Sequence, residues 1–194
     1  MDKLVAGGET PEMAEQIAQG LWAKYLPNAP LRLIDANSPS FICQLQSKGH
    51  VVLGLTARYP GEAFYTHPQL ERLGFSFDRR FPDHALSLCA PAIFEKGVLF
   101  ASALNTKGQA LEALLQQLNL KPKKIIFVDD KIHHVENVQA ASAQLDLDFL
   151  GIRYSSADKR VHAFDAQIAE LQMQLFPRFV SDEEAFQMLV PAVN

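Results

Sequence analysis

The sequence predicts an α/β fold with a doubly wound, mainly parallel, Rossmann-like sheet and a small β-hairpin. Three observations support this. Buried-strand patterns alternate with amphipathic helix patterns, two of the strand patterns end on polar side chains, and residues 93–100 form two short apolar runs about a glycine. Parallel strands need crossover connections, which are usually helices, so the alternation favours a parallel sheet. A chain of 194 residues is the size of one domain, and we expect a single domain over residues 1–194.

The amino-terminal half predicts two helices and then a strand. A Thr-Pro-Glu cap begins a helix pattern that runs from residue 10 to about Tyr25. Two prolines punctuate residues 27–37, which we expect to be a loop or a short strand. A Ser-Pro pair begins a second helix over residues 38–48, which a glycine ends. Residues 50–56 follow as a buried-strand pattern that ends on a threonine.

The carboxyl-terminal half predicts the hairpin and three further units. The glycine within residues 93–100 indicates a β-hairpin. A leucine-rich helix pattern over residues 107–118 leads into the apolar strand 125–128, which stops at two adjacent carboxylates. Four apolar residues in a row are typical of a fully buried parallel strand. The remaining elements are a helix over residues 135–141, a strand at 149–154, and amphipathic helices at about 162–176 and 181–190.

Composition excludes several classes of partner. The net charge of −4 gives no reason to expect binding to nucleic acid or to an anionic membrane. No apolar stretch approaches the roughly 20 residues of a membrane span, and Met1–Gly8 lacks the apolar core of a signal peptide. We therefore expect a soluble protein, cytoplasmic as given, with an upstream targeting signal left open. The two cysteines form neither a metal-ligand spacing nor a disulfide framework.

Polar side chains at the ends of these elements suit phosphoryl chemistry. Asp129 and Asp130 are hard oxygen ligands that suit Mg²⁺, although one aspartate could instead cap the next helix. The Thr56 hydroxyl can hold a phosphoryl oxygen, and the Lys107 ammonium can neutralise its charge. Arg58 is a candidate substrate contact, with a surface salt bridge as the alternative. Singly, a threonine at a strand end and a solvated lysine are commonplace.

In this order the residues resemble the haloacid dehalogenase superfamily of phosphohydrolases. Residues 53–58 look like its second motif, residues 107–108 its third and residues 128–131 its fourth, and the resemblance covers residues 38–154. Further phrases at 44–49, 66–70 and 123–131 are similar to an uncharacterised bacterial branch. The resemblance implies a catalytic set of Thr56, Lys107 and Asp130. It also implies that Thr56 binds the phosphoryl group, that Lys107 stabilises the nucleophile and its phosphorylated form, and that Asp129 and Asp130 serve a Mg²⁺ site. With Arg58, the expected substrate-binding residues are Thr56, Arg58 and Lys107.

The first motif of that superfamily, an Asp-x-Asp-x-Thr that supplies the nucleophile, is not found in this chain. The nearest candidate has Asp35 in the nucleophile position, but Asn37 replaces the second carboxylate and could not shuttle a proton. A loop that enters a helix at Ser38 explains the same residues. Without the first-motif strand, the sheet would lack a central member. Residues 31–34 or a strand from another copy of the chain could fill that place.

Two functions follow as expectations. The first is a magnesium-dependent phosphohydrolase scaffold of the phosphomonoesterase type, incomplete, and weakly active or inactive without its nucleophile. The second is a non-catalytic binding or interaction protein that keeps a cation or phosphate site. The expected partner in both cases is a small phosphorylated substrate, and a homo-oligomer is left open.

Overall fold

The computed structural model describes residues 10–190, which form two compact units. One unit comprises residues 32–162, and the other combines residues 10–31 with residues 163–190. The predicted single domain stays a prediction. The stretch Met1–Gly8, where we looked for a signal peptide, lies outside the described residues.

Helices and strands follow one another in an order close to the predicted one. The described helices are α1 (Pro11–Tyr25), α2 (Ser38–Ser47), α3 (Ala63–Arg72), α4 (Lys107–Gln117), α5 (Ile132–Gln144), α6 (Asp158–His162), α7 (Ala166–Leu175) and α8 (Asp182–Leu189). The described strands are β1 (Gly54–Thr56), β2 (His84–Leu86), β3 (Ala92–Glu95), β4 (Val98–Phe100), β5 (Lys124–Asp129) and β6 (Asp148–Arg153).

The unit of residues 10–31 and 163–190 contains helices α1, α7 and α8. The Thr10 hydroxyl accepts a hydrogen bond from the Met13 amide at 3.2 Å, which confirms the predicted start of α1. The hydroxyl of Tyr25 donates to the carbonyl of Met173 at 3.3 Å, and its ring meets that of Phe176 edge-on at 4.6 Å between centroids. The end of α1 is therefore held against the end of α7 by both polar and aromatic contacts.

The unit of residues 32–162 holds two sheets. A four-stranded sheet has the order β1-β4-β3-β2, with β1 parallel to β4 and the other pairs antiparallel. A two-stranded parallel sheet joins β5 to β6. The α/β class is confirmed, but the described residues show a mixed sheet and a small parallel one where one doubly wound sheet was expected. The antiparallel pairs arise because short connections, unlike helical crossovers, can only reverse the chain.

The β-hairpin is confirmed. Strands β3 and β4 pair in antiparallel register, with Glu95 opposite Val98. The two residues between them, Lys96 and Gly97, have φ of 48° and 81°. Two consecutive positive φ values are what a two-residue type I′ turn requires, and its twist matches that of the strands it joins.

Strand β5 differs from its prediction in burial. Alternate residues point to opposite faces, and Phe127 packs with Val135 and Val138 of α5 on one face. On the other face Ile126 and Val128 are 61% and 53% exposed. The predicted fully buried strand is therefore wrong, because α5 covers only one face of this two-stranded sheet.

Residues 31–34 are a loop, which is one of the two predicted alternatives, so they do not supply a strand to the sheet. Three differences lie between residues 50 and 86. Of the strand predicted at residues 50–56, only β1 pairs with another strand. Helix α3 and strand β2 were not predicted. Helix α3 contains Pro68, a residue that argues against a helix interior when the sequence is read alone.

Candidate active site

A buried ion pair lies where β5 ends and α4 begins. The Nζ atom of Lys107 is 2.5 Å from Oδ2 of Asp129, and each residue is only 8% exposed. The second carboxylate oxygen, Oδ1, accepts the backbone N–H of Lys131 at 2.9 Å. Thr106 caps α4 by accepting the Gln109 amide, which sets Lys107 at the first helical position. The structure thus brings together two residues that the sequence placed 22 positions apart.

The charge of Asp129 is stabilised despite its burial. Burial alone would raise the pKa of Asp129, but the hydrogen bonds from Lys107 and from the Lys131 backbone outweigh it, and the net pKa is below the usual value. The nearby His134 has its pKa lowered, chiefly by burial and then by the positive charge of Lys107. This part of the site therefore holds an ionised Asp129 carboxylate at neutral pH, in contact with the Lys107 side chain.

Asp130 does not join this pair. Its exposed carboxylate lies 3.6 Å from Nζ of Lys131, and its backbone carbonyl accepts a hydrogen bond from Nε of Arg153 at 3.2 Å. Successive residues at a strand end point in opposite directions, which separates two carboxylates that are adjacent in sequence. The two predicted Mg²⁺ ligands therefore do not converge.

The residues present do not form a metal cage. Among the side chains that the structure describes, no group of three or more His, Cys, Asp or Glu residues is arranged to hold a metal ion. Both oxygens of Asp129 already accept hydrogen bonds, one from Lys107 and one from Lys131. Mg²⁺ prefers octahedral oxygen ligands, and this arrangement offers it one engaged carboxylate. The Mg²⁺ site stays a prediction.

A second cluster surrounds Arg58, just beyond β1. The Thr56 hydroxyl accepts the Arg58 backbone N–H at 3.2 Å. The Arg58 Nη1 atom donates to Oγ1 of Thr66 at 2.7 Å and to Oε1 of Gln69 at 3.0 Å, which anchors the guanidinium to helix α3. In the part of the chain that the structure describes, Nε and Nη2 have no hydrogen-bond partner. The predicted alternative of a surface salt bridge is not seen among these residues.

Arg58 is a partly desolvated cation. Burial lowers its pKa, while Tyr65 and Glu62 oppose that effect, and the group stays charged at neutral pH because arginine begins so far above it. Glu62 does not pair with it directly: its carboxylate accepts the Tyr65 hydroxyl and the Tyr59 amide. Burial and the Glu62 hydrogen bond raise the pKa of Tyr65, so this phenol stays neutral.

The two clusters belong to one edge of the unit. The Arg58 carbonyl accepts the N–H of Ser102 at 3.2 Å, and the loop that contains Ser102 leads directly to Lys107. Strands β1, β4 and β5 therefore all end near this region, which we name the polar edge: Thr56, Arg58, Lys107 and Asp129. Ligands of open α/β sheets bind at such carboxyl ends.

The sequence did not identify the anchors of Arg58. Thr66 and Gln69 lie on a helix that was not predicted, and a spacing of three residues on one helix face was a signal for them.

The role of Asp35 was left open by the sequence. Asp35 is exposed in a turn, where its carboxylate accepts the Asn37 amide at 2.9 Å, and α2 begins at Ser38. The loop interpretation of these residues is confirmed.

Comparison with known proteins gives relatives from Chlamydia. A protein of Chlamydia trachomatis is 25% identical over 164 residues, covering 84% of this chain and 62% of the relative. One of Chlamydia muridarum is 27% identical over 169 residues, covering 87% and 64%, and one of Chlamydia pneumoniae is 23% identical over 181 residues, covering 93% and 69%. All three are named putative outer membrane proteins. The chain spans a little under two thirds of the first two relatives. No solved structure matches it.

These matches correct two expectations. The expectation of a soluble, cytoplasmic protein is overturned, because the relatives are named putative outer membrane proteins. Within residues 10–190, no helix is long and apolar enough to cross a membrane. The haloacid dehalogenase assignment is wrong, and the hydrolase and phosphatase class that depended on it loses its support, because the sequence profile that matches is that of another family. This profile, described as "Protein of unknown function (DUF2608)", matches residues 16–186, and the chain belongs to that family.

Proposed function

We propose that the chain binds a small phosphorylated molecule at the polar edge and holds it without turnover. The observation that carries the proposal is the Arg58 guanidinium, which Thr66 and Gln69 anchor through Nη1 alone. Its Nε and Nη2 groups remain as donors, and the backbone of the same residue is tied to the hydroxyl of Thr56. An anchored guanidinium has lost its conformational entropy before the ligand arrives, so less is lost on binding.

Arginine suits this ligand chemistry. A guanidinium can donate two parallel N–H bonds to two oxygens of a phosphate, and such charge-assisted bonds are stronger than neutral ones. The partial burial of Arg58 increases the electrostatic attraction, because the local dielectric is lower than in water. The Thr56 hydroxyl can donate a further hydrogen bond, whereas the charge of Lys107 is already balanced by Asp129.

The state of the carboxylates favours binding over catalysis. A covalent phosphoryl transfer needs an activated nucleophile that is free to attack. The Asp129 carboxylate is held by Lys107 and Lys131, and Asp35 is fixed in an exposed turn. The site therefore binds its ligand without a chemical step. Binding is measured with and without Mg²⁺ to test the predicted dependence on this ion.

The test is isothermal titration with phenyl phosphate, with and without Mg²⁺. We expect saturable binding, with an affinity that Arg58→Met weakens at least tenfold and Arg58→Lys weakens less. Lysine keeps the positive charge but cannot donate two parallel hydrogen bonds to the phosphate. Arg32→Met is the matched control, since Arg32 is an exposed arginine in a loop and should leave the affinity unchanged. Thermal unfolding of each variant separates lost binding from lost folding. Absence of binding by the wild-type chain would overturn the proposal.

Turnover is measured in parallel as released phenol. No release above the uncatalysed rate is expected at any Mg²⁺ concentration. Release that Asp129→Asn abolishes would contradict the non-catalytic half of the proposal and would restore the phosphohydrolase expectation.

The names of the relatives support an envelope location as part of this proposal. Fractionation of the cells that make the protein, followed by immunoblotting against residues 10–190, tests it. We expect the signal in the envelope fraction, and recovery only with cytoplasmic marker proteins would contradict that location.

A further inference from the structure

Strand β1 has one edge without a partner strand. The Gly54 amide donates to the Gly97 carbonyl at 2.9 Å, and the Thr56 carbonyl accepts the Ala101 amide at 2.9 Å. In a parallel strand the N–H and C=O groups of one residue point to the same side, and successive residues alternate. The backbone groups of Leu55 therefore point away from β4, to a side where no strand pairs with β1 within residues 10–190.

Strand β5 has a similar open edge. The Lys123 carbonyl accepts the Asp148 amide at 3.2 Å, and the Asp129 carbonyl accepts the Tyr154 amide at 2.8 Å. By the same alternation, the backbone groups of Ile126 and Val128 point away from β6. Nothing in the described part of the chain pairs with that edge. Each such amide and carbonyl needs a hydrogen-bond partner, either water or another strand.

The two open edges border the same space. The Leu55 side chain packs against two core clusters, one around Phe94 and Leu114 and one around Phe127 of β5. The Lys107–Asp129 pair joins the carboxyl end of β5 to the helix that follows β4, and β4 runs parallel to β1. The carboxyl ends of β1 and β5 therefore lie at the same edge.

We propose that this gap, between Leu55 on one side and Ile126 and Val128 on the other, binds one extended strand from outside the described residues. The strand would pair with β1 and β5 at once and join the two sheets into one. Parallel strands are normally covered and internal, and the exposed apolar side chains of Ile126 and Val128 are those of an internal strand, not of a protected edge.

We infer that the strand corresponds to the part of the Chlamydia relatives that this chain does not match. The chain spans 62% and 64% of the two first relatives, so those proteins contain further sequence, and a strand needs only about five residues of it. A second copy of this chain fits less well. Every described strand already pairs with a neighbour, and donating one would break a sheet.

The first test uses peptides. Overlapping fluorescent peptides of about 15 residues, longer than a typical strand, would cover the unmatched part of the Chlamydia trachomatis and Chlamydia muridarum relatives. Fluorescence anisotropy would then measure their binding to the chain. We expect one region to bind, and to slow amide hydrogen exchange at Leu55, Ile126 and Val128 while amides already paired within β5–β6 change little.

A pair of variants at one position tests the geometry. Val128→Pro removes the N–H that points into the gap but no hydrogen bond to β6, because that ladder uses the neighbouring residues. Val128→Ala removes the side chain and keeps the N–H. We expect about tenfold weaker peptide binding for the proline variant and less than half that effect for the alanine variant.

Four results would overturn the inference. Three are the absence of binding by every peptide, binding that leaves the exchange of Ile126 and Val128 unchanged, and equal weakening by the two variants. A chain that is dimeric by light scattering, with those amides already protected, would also overturn it, because a second copy would then occupy the gap.

Discussion

Replacing Lys107 by methionine should destabilise the unit of residues 32–162 by about 3 kcal/mol. Removal of one member of a buried ion pair leaves the other charge buried and unpaired, which typically costs about 3–5 kcal/mol. Lys107 and Asp129 are each 8% exposed, so this range applies. The lower end is expected because Asp129 keeps its hydrogen bond to the Lys131 amide at 2.9 Å. Urea denaturation followed by circular dichroism at 25 °C measures the free energy of unfolding.

The pH dependence of this variant identifies the cause of the loss. The depressed pKa of Asp129 gives the wild-type chain a stability that is present above the pKa of an unfolded aspartate and disappears as the pH falls through the folded value. Without Lys107 that contribution is absent, so the difference between variant and wild type should shrink in acid. The double variant Lys107→Met, Asp129→Leu should be more stable than Lys107→Met alone. A loss under about 1 kcal/mol at neutral pH, or a double variant no more stable than Lys107→Met alone, would contradict this expectation.

Three other changes have expected outcomes in the same denaturation assay. Gly108→Ala should destabilise the chain by about 1–3 kcal/mol, because a Cβ there would lie 2.3 Å from the Asn137 carbonyl oxygen. Gly20→Ala is the control and should not destabilise the chain, because Gly20 has open space around it in α1. Asp165→Ala should cost about 1 kcal/mol by removing the cap of α7, and an effect near zero would contradict the capping role. Burial lowers the pKa of His67, and the charge of Glu95 opposes this effect. His67 therefore takes up a proton more readily in the unfolded chain, and the free energy of unfolding should fall as the pH drops below about 6.5. His67→Gln should flatten part of that slope, and an unchanged slope would count against this role.

Local patterns carried much of the fold. Caps and stop signals predicted α1, α2 and α4 to within a residue or two, because a helix end is determined by its own few residues. The apolar run before Asp129 predicted β5, and the order of Thr56, Lys107 and Asp129 anticipated an edge with several polar residues. Lys107 and Asp129 are in direct contact because α4 begins and β5 ends at that edge.

Pairing and burial could not be predicted from the same patterns. A run such as Ile125–Val128 has the composition of an internal strand whether or not its neighbours are present, so its exposure depends on what else covers the sheet. The alternation of side chains at a strand end separated Asp129 from Asp130, although adjacency in sequence suggested a shared site. The anchoring of Arg58 depends on α3, which the sequence pattern did not predict because its internal Pro68 argues against a helix.

The most direct test of the central claim is a map of where phosphate binds. Inorganic phosphate titrated into the ¹⁵N-labelled chain would be followed by the chemical shifts of the assigned backbone amides. We expect saturable shifts centred on Thr56, Arg58 and Lys107, which Arg58→Met removes and Arg32→Met keeps. Shifts that are absent, or that are centred elsewhere and persist in Arg58→Met, would contradict the claim.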